Sequence, residues 1–298
     1  MSPAAAKAKR AGGRSLTKAG APPRAAAARR RASGRAKALA PRVLVLRAPG
    51  TNCDLETGYA FEQAGAVATP LHADRLLARP ALLADVHALV FPGGFSHGDD
   101  LGAGTILGAK VRARLVDAVR RLVDRGGVVL GICNGFQILV KTGLVPGFDG
   151  RSERVVTLAS NESHRYEDRW VTLEVTSDRC AFLRRGERYE VPVAHAEGRL
   201  VPLDESVRKR LHADGHVALR YVGPQGEHPA PFPWNPNGSF DDVAGLTDPT
   251  GRILGLMPHP ERHQFPWQSP RFHREGPRPP DGLRLFQHAV ESLRRAFS

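Results

Sequence analysis

Apolar and polar residues alternate in distinct rhythms along this 298-residue chain. Short unbroken apolar runs stand at Val43–Leu46, in "VHALVF" at 86–91, in "VVLGI" at 128–132 and in "RILGLM" at 252–257. Runs of this length suit strands buried on both faces. A Pro-Gly turn follows the first, where Asn52 or Asp54 is placed to cap a helix. "LETGYAFEQAGA" reads as that helix, closing at Gly65. From Thr105 to Arg125, Val111, Leu115, Val119 and Leu122 fall three or four apart, which is one face of an amphipathic helix. Gly126 and Gly127 end it. "GLRLFQHAVESLRRAF" closes the chain as a second amphipathic helix, with Leu283, Phe286, Val290, Leu293 and Phe297 on one side.

Strands alternating with helices through residue 145 predict an α/β fold with a largely parallel sheet flanked by helices. Beyond 150 the rhythm changes. "VVTLAS", "WVTLEV" and "VPVAH" predict shorter, partly antiparallel strands, an added antiparallel segment. Residues 223–240 and 264–281 are rich in Pro, Gly and His and read as surface loops. No internal repeat and no interior linker is seen, so residues 41–298 read as one domain.

Charge separates the first 40 residues from that domain. The chain carries a formal net charge of +13, yet residues 1–40 hold eleven Lys or Arg and no Asp or Glu. The remainder has 32 basic and 30 acidic residues, a net of +2. A near-neutral body argues against nucleic-acid binding by the domain. The tail is rich in Ala, Arg, Gly and Pro and lacks an apolar period, which predicts disorder. It could bind a polyanion, serve as an Arg-rich targeting segment, or be an unselected extension; its composition favours the last. No apolar run approaches 18 residues, so no membrane-spanning helix is expected. Cys53, Cys133 and Cys180 are odd in number and widely spaced. They suggest neither a disulfide framework nor a metal site, and a cytoplasmic setting fits.

The chemistry concentrates at "LGICNGFQIL". A strand, then Gly-x-Cys-x-Gly, then a helix is the form of a nucleophile elbow. Gly131 and Gly135 allow the tight turn. The elbow lifts Cys133 off the carboxyl end of the strand, where open α/β sheets bind ligands. The following helix turns its positive end to the sulfur and favours the reactive thiolate. The competing reading is a buried core cysteine, the usual state of a free thiol.

A thiol nucleophile needs a base, and the base an orienting group. Among twelve histidines, His259 in "GLMPHPERH" follows a buried strand and has Glu261 two residues on. A carboxylate there can hold the far imidazole nitrogen. Read in isolation, the same residues are an ordinary solvated loop. His263 has no such acid. An oxyanion hole needs backbone N–H donors. The turn at Gly93-Gly94 supplies Gly94, and the residue after the nucleophile supplies Asn134. The alternative for the glycine turn is an ordinary loop or a phosphate cradle, although it lacks the P-loop ending. Cys53 lies in a loop after a strand end, a place that can bring it near the site, but it reads as structural, and Cys180 as packing.

"GICNGFQ" together with "HPE" resembles the triad-type (class I) glutamine amidotransferases, whose domain is a flavodoxin-like α/β fold. The resemblance implies glutamine as substrate, its side-chain amide hydrolysed through a thioester on Cys133. His259 would act as base and then acid, Glu261 would orient it, and Gln137 would help hold glutamine. "APGTNCDLE", "GGFSHGDDLGAG", "NESHRYEDR", "AHAEGR", "NPNGS" and "GLMPHPERH" follow in order over residues 42–263. They resemble the glutaminase component of phosphoribosylformylglycinamidine synthase, of purine biosynthesis. That likeness implies a synthetase subunit and a small third subunit as partners. It places ATP and Mg2+ on the synthetase and no cofactor on this chain. His97 stands where a tyrosine is common, and residues 264–281 and the tail fall outside the likeness. "NPNGS" is a turn, with a role in partner docking implied only by the likeness. Two other readings stay open at this point. One is an amidotransferase for another acceptor, or a cysteine hydrolase of the same superfamily. The other is a non-enzymatic scaffold acting through the tail.

Overall fold

A computed structural model describes residues 40–298. The basic tail lies outside the described residues, apart from Ala40. The strands in chain order are β1 (Arg42–Arg47), β2 (Val67–His72), β3 (Ala88–Phe91), β4 (Val128–Ile132), β5 (Val156–Ser160), β6 (Glu167–Val175), β7 (Arg188–His195), β8 (Glu197–Pro202), β9 (Val217–Val222), β10 (Val243–Thr247) and β11 (Ile253–Leu256). The helices are α1 (Asp54–Gln63), α2 (Ala73–Ala78), α3 (Thr105–Arg114), α4 (Val116–Asp124), α5 (Asn134–Thr142), α6 (Glu205–Ala213), α7 (Phe272–Glu275) and α8 (Asp281–Ala296).

Nine strands form one sheet in the order β2-β1-β3-β4-β11-β10-β9-β6-β7. The first five are parallel. The last four join by antiparallel pairing and continue the same sheet. Strands β5 and β8 make a separate antiparallel pair. The apolar runs behave as their pattern requires. Every residue of β3, β4 and β11 is buried, as are Val43–Leu46 of β1. Helices α1 and α8 meet through Phe61 and Phe286, whose rings lie edge-on at 5.0 Å. Strand β11, close to the chain's end, slots between β4 and β10 and joins the two halves.

Several local expectations change. The helix read from 105 to 125 is two helices, broken at Leu115, where φ widens to −116°. Leu115 and Val116 at the break are both buried. Neither Asn52 nor Asp54 caps α1. Cys53 occupies the cap position without a side-chain bond, and Asp54 pairs with Arg47 at 2.6 Å. Strand β2 has only one buried residue and contains Pro70. It lies at the sheet edge, where a missing N–H is tolerated, and so has no apolar run to read. The 223–240 segment is not wholly a surface loop. Asn235, Asn237 and Ser239 are buried and bonded internally. Their side chains are spent in hydrogen bonds inside the molecule.

Candidate active site

The carboxyl ends of β1, β3, β4 and β11 converge. The loop after β1 brings Asn52 and Cys53, the turn after β3 brings Gly94, the end of β4 brings Cys133, and the end of β11 brings His259. A cavity of about 200 Å³ forms there. Cys133, Gly94, Gln137 and His259 all line it.

Cys133 has φ 51° and ψ −107°, a strained backbone for a non-glycine residue. The elbow is possible because of its neighbours. A Cβ on Gly135 would lie 1.8 Å from the carbonyl oxygen of Phe91, so α5 approaches β3 closer than any side chain allows. A Cβ on Gly131 would in turn strike the Gly135 carbonyl at 2.7 Å. Cys133 itself is 6 % exposed, and its Sγ lies 3.8 Å from the carbonyl oxygen of Ala194. The thiol is therefore buried, as the bland reading held, and also faces a cavity.

His259 and Glu261 are almost wholly buried and sit 2.6 Å apart through Nδ1 and Oε1. The His259 backbone N–H donates to Pro192 O of β7 at 2.8 Å, which fixes the backbone. Its Nε2 is buried and has no hydrogen-bond partner. Burial opposes the imidazolium, but the negative charges of Glu261 and Cys133 outweigh it and hold the imidazole well above its ordinary value. A base tied at one nitrogen and open at the other can carry a proton to and from a neighbouring group.

Gly94 has φ +138°, and a Cβ there would meet Gly50 O at 2.7 Å and Asn52 N at 2.8 Å. Asn134 is the first residue of α5, where a backbone N–H has no partner within the helix. Its side chain ties the glycine loop to the helix. Oδ1 accepts from Ser96 N at 3.1 Å, and Nδ2 donates to Asp99 and Gln137, each at 3.0 Å. Gln137 Nε2 donates to Glu197 O at 2.5 Å. The structure thus brings all six residues singled out in the sequence to one place.

Other groups also surround the site, and of these only Cys53 has a place in the sequence that points there. Cys53 Sγ lies 4.0 Å from His259 Nδ1 and receives a hydrogen bond from Arg262 Nη2 at 3.1 Å. Asp99, Tyr166, His195, Glu197 and Arg262 also line the cavity. Burial pushes the Asp99 carboxyl up. Three of these lie in "NESHRYEDR" and "AHAEGR", blocks whose likeness is visible but whose chemistry is not. The donor atoms of Cys53, His259 and Glu261 lie within 4.8 Å of one another. That set could hold a metal ion only by giving up the His259–Glu261 bond and crowding the Arg262 guanidinium. Cys180 is buried, and burial raises its thiol to about 12, in keeping with packing.

Comparison with known proteins agrees with this geometry. Residues 40–292 match the family described as CobB/CobQ-like glutamine amidotransferase domain. "Phosphoribosylformylglycinamidine synthase subunit PurQ" of Dehalococcoides mccartyi is 44% identical over 258 residues, covering 85% of this chain and 98% of that protein. The chain belongs to the PurQ family of glutamine amidotransferases. The PurQ subunit of Archaeoglobus fulgidus is 39% identical over 269 residues, covering 85% of this chain and 97% of that protein. Among solved structures, a chain of "Structure of PurLQS from Thermotoga maritima" superposes with a TM-score of 0.64 at 30% identity, covering 85% of this chain and 99% of that one. The PurQ family fold, a mixed sheet flanked by helices, is the one described above. No helix among the described residues is long and apolar enough to cross a membrane.

Proposed function

We propose that this chain is the glutaminase subunit of phosphoribosylformylglycinamidine synthase. It hydrolyses glutamine and supplies ammonia to a synthetase subunit in purine biosynthesis. The observation that carries the chemistry is one buried histidine, with Nδ1 on Glu261 at 2.6 Å and Nε2 open in the cavity that Cys133 lines.

The reaction follows from that placement. His259 takes the Cys133 proton, and the sulfur attacks the side-chain carbonyl carbon of glutamine. The carbonyl oxygen gains charge and is met by the backbone N–H groups of Gly94 and Asn134. His259 returns the proton to the nitrogen, the C–N bond breaks and ammonia leaves a thioester. Water, deprotonated by His259, then attacks the thioester; glutamate departs and the thiol is restored. Glu261 stabilises the imidazolium at both stages. Gln137, held by Asn134 and Glu197, shapes the glutamine pocket.

The partners in this reading are the synthetase and a small third subunit. Support comes from the Thermotoga maritima neighbour, which is described as PurLQS. ATP and Mg2+ act on the synthetase, and this chain carries no cofactor. A cytoplasmic location suits an enzyme of this family.

A labelling experiment tests the assignment. A glutamine-like electrophile should modify Cys133 and not Cys53 or Cys180, and free glutamine should protect it, as read by peptide mass mapping. Labelling without protection by glutamine would favour a hydrolase of other specificity.

A further inference from the structure

His195 ends β7 and is 3 % exposed. It lines the same cavity as Cys133 and His259, yet the mechanism above gives it no part. Its neighbours decide where its proton lies. Asn161 Nδ2 donates to two carbonyl oxygens, of Arg165 at 2.9 Å and of His195 at 2.8 Å. Carbonyls only accept, so the amide cannot be turned the other way. Asn161 Oδ1 is therefore the acceptor, and it already receives Gly198 N–H at 3.2 Å. It lies 3.1 Å from His195 Nδ1, so Nδ1 must carry the ring proton. Nε2 is left with a lone pair. That atom is buried and has no hydrogen-bond partner in the protein.

A buried acceptor without a donor is costly, and few survive without a reason. The ring is also locked in place. A Cβ on Gly198 would fall 2.5 Å from its Cε1, so only glycine lets the imidazole lie there. Burial, and then the positive charge of His259, hold its pKa down at about 3. The ring is a neutral acceptor at any working pH. It is also close to the reacting atoms, since the adjacent Ala194 carbonyl lies 3.8 Å from Cys133 Sγ.

We propose that His195 Nε2 accepts a hydrogen bond from the side-chain carboxamide N–H of glutamine. This rests on the glutaminase reading and extends it to the leaving group. One N–H held by His195 fixes rotation about the C–N bond. The nitrogen lone pair that develops as the carbonyl carbon becomes tetrahedral then faces His259, which protonates it. His195 is thus a specificity residue for amides over esters, because an ester oxygen brings no N–H to it.

The test compares glutamine with glutamate γ-methyl ester, both hydrolysed by the assembled complex. His195→Leu should lower kcat on glutamine about 10- to 100-fold while ester hydrolysis changes by less than about threefold. His195→Gln, which restores an acceptor, should recover part of the amide rate. Equal losses on both substrates, or no loss on either, would overturn the contact; equal losses would mark a structural role or a contact to the α-ammonium. Hydrolysis of neither substrate by the unmodified complex would overturn the glutaminase reading, and the contact with it. Should the variants fold poorly, Cys133→Ala protein labelled with 15N-histidine gives a second measurement. Glutamine, and not the ester, should shift the unprotonated Nε2 resonance of His195; no shift overturns the proposal.

Discussion

In the parallel half of the sheet, the ends of four of the five strands hand chemical groups to the site. In the antiparallel half, groups arrive through a buried lattice of side-chain hydrogen bonds. Strands β1, β3, β4 and β11 deliver Cys53, Gly94, Cys133 and His259 by the direction of the chain alone. By contrast, His195 at the end of β7 and Glu197 at the start of the adjoining β8 are held through Asn161, Asn237 and Ser239. Asn237 Nδ2 holds Gly198 O at 2.9 Å, and Ser239 Oγ receives Leu200 N–H at 2.9 Å. In the reading proposed here, the first half sets what reaction occurs. In the same reading the second sets where the substrate sits, and it does so with polar groups that are costly if left unpaired.

The largest effect should come from the parallel half. Cys133→Ser is expected to lower glutamine-dependent synthesis by the assembled complex about 10³-fold or more, with ammonia-dependent synthesis retained. Glutamine-dependent turnover that persisted would place the nucleophile elsewhere. Glu261→Gln should lower kcat by about 10²- to 10⁴-fold. The carboxylate charge of Glu261 raises the His259 pKa, so its removal should also move the acidic limb of the kcat profile to lower pH. An unmoved limb would break the pairing. Gly135→Ala probes the elbow's geometry rather than its chemistry. It should cost about 3 kcal/mol or more of unfolding free energy in a denaturant titration, because its Cβ has no room.

The antiparallel half should respond more mildly. Asn161→Ala frees the His195 ring and two carbonyls, and is expected to cost about 1 to 3 kcal/mol of stability. Its kcat on glutamine should fall about tenfold if the proton position on His195 matters. A stability loss with unchanged kcat would reduce the lattice to scaffolding. The smallest effect belongs to Asp241, at the outer rim of this half. Hydrogen bonds from Arg208 and His212 hold its carboxyl down at about 2, against an ordinary 3.8. A depressed carboxyl stabilises the fold above its ordinary pKa and loses that contribution as the pH falls through about 2. Asp241→Asn should therefore be less stable by about 1 kcal/mol or less near neutral pH, the gap closing in acid. A gap unchanged at acid pH would show that charge is not its source.

The same contrast explains what can be read from the sequence. The parallel strands announce themselves as unbroken apolar runs, and the elbow by the glycines around Cys133. Glu261 is legible because it lies two residues from His259. The antiparallel half is legible only as strands. His195, Asn161 and Glu197 follow no period, and two of them are far from Asn161 in sequence, so nothing short of the fold brings them together. Cys53 reads as structural in the sequence. It proves to be both a loop residue and a neighbour of His259, which the strand order β1-β3-β4-β11 brings to the same end of the sheet. Edge strand β2 leaves no signal because an edge needs no apolar run. The break at Leu115 leaves none because periodicity continues across it.

Strand β11 holds a further consequence, in the order of synthesis. It fills the gap between β4 and β10, yet every other strand of the sheet precedes it in the sequence and leaves the ribosome first. A nascent chain ending at residue 250 already contains Cys133, but its two half-sheets have no strand to join them. It also lacks His259. Such a truncated product would expose the open edge of β4 and invite aggregation or proteolysis. In the reading proposed here it would be unable to spend glutamine. In sequence order β11 follows every other strand of the sheet, and in the reading proposed here the same strand that closes the sheet carries the histidine to the thiol.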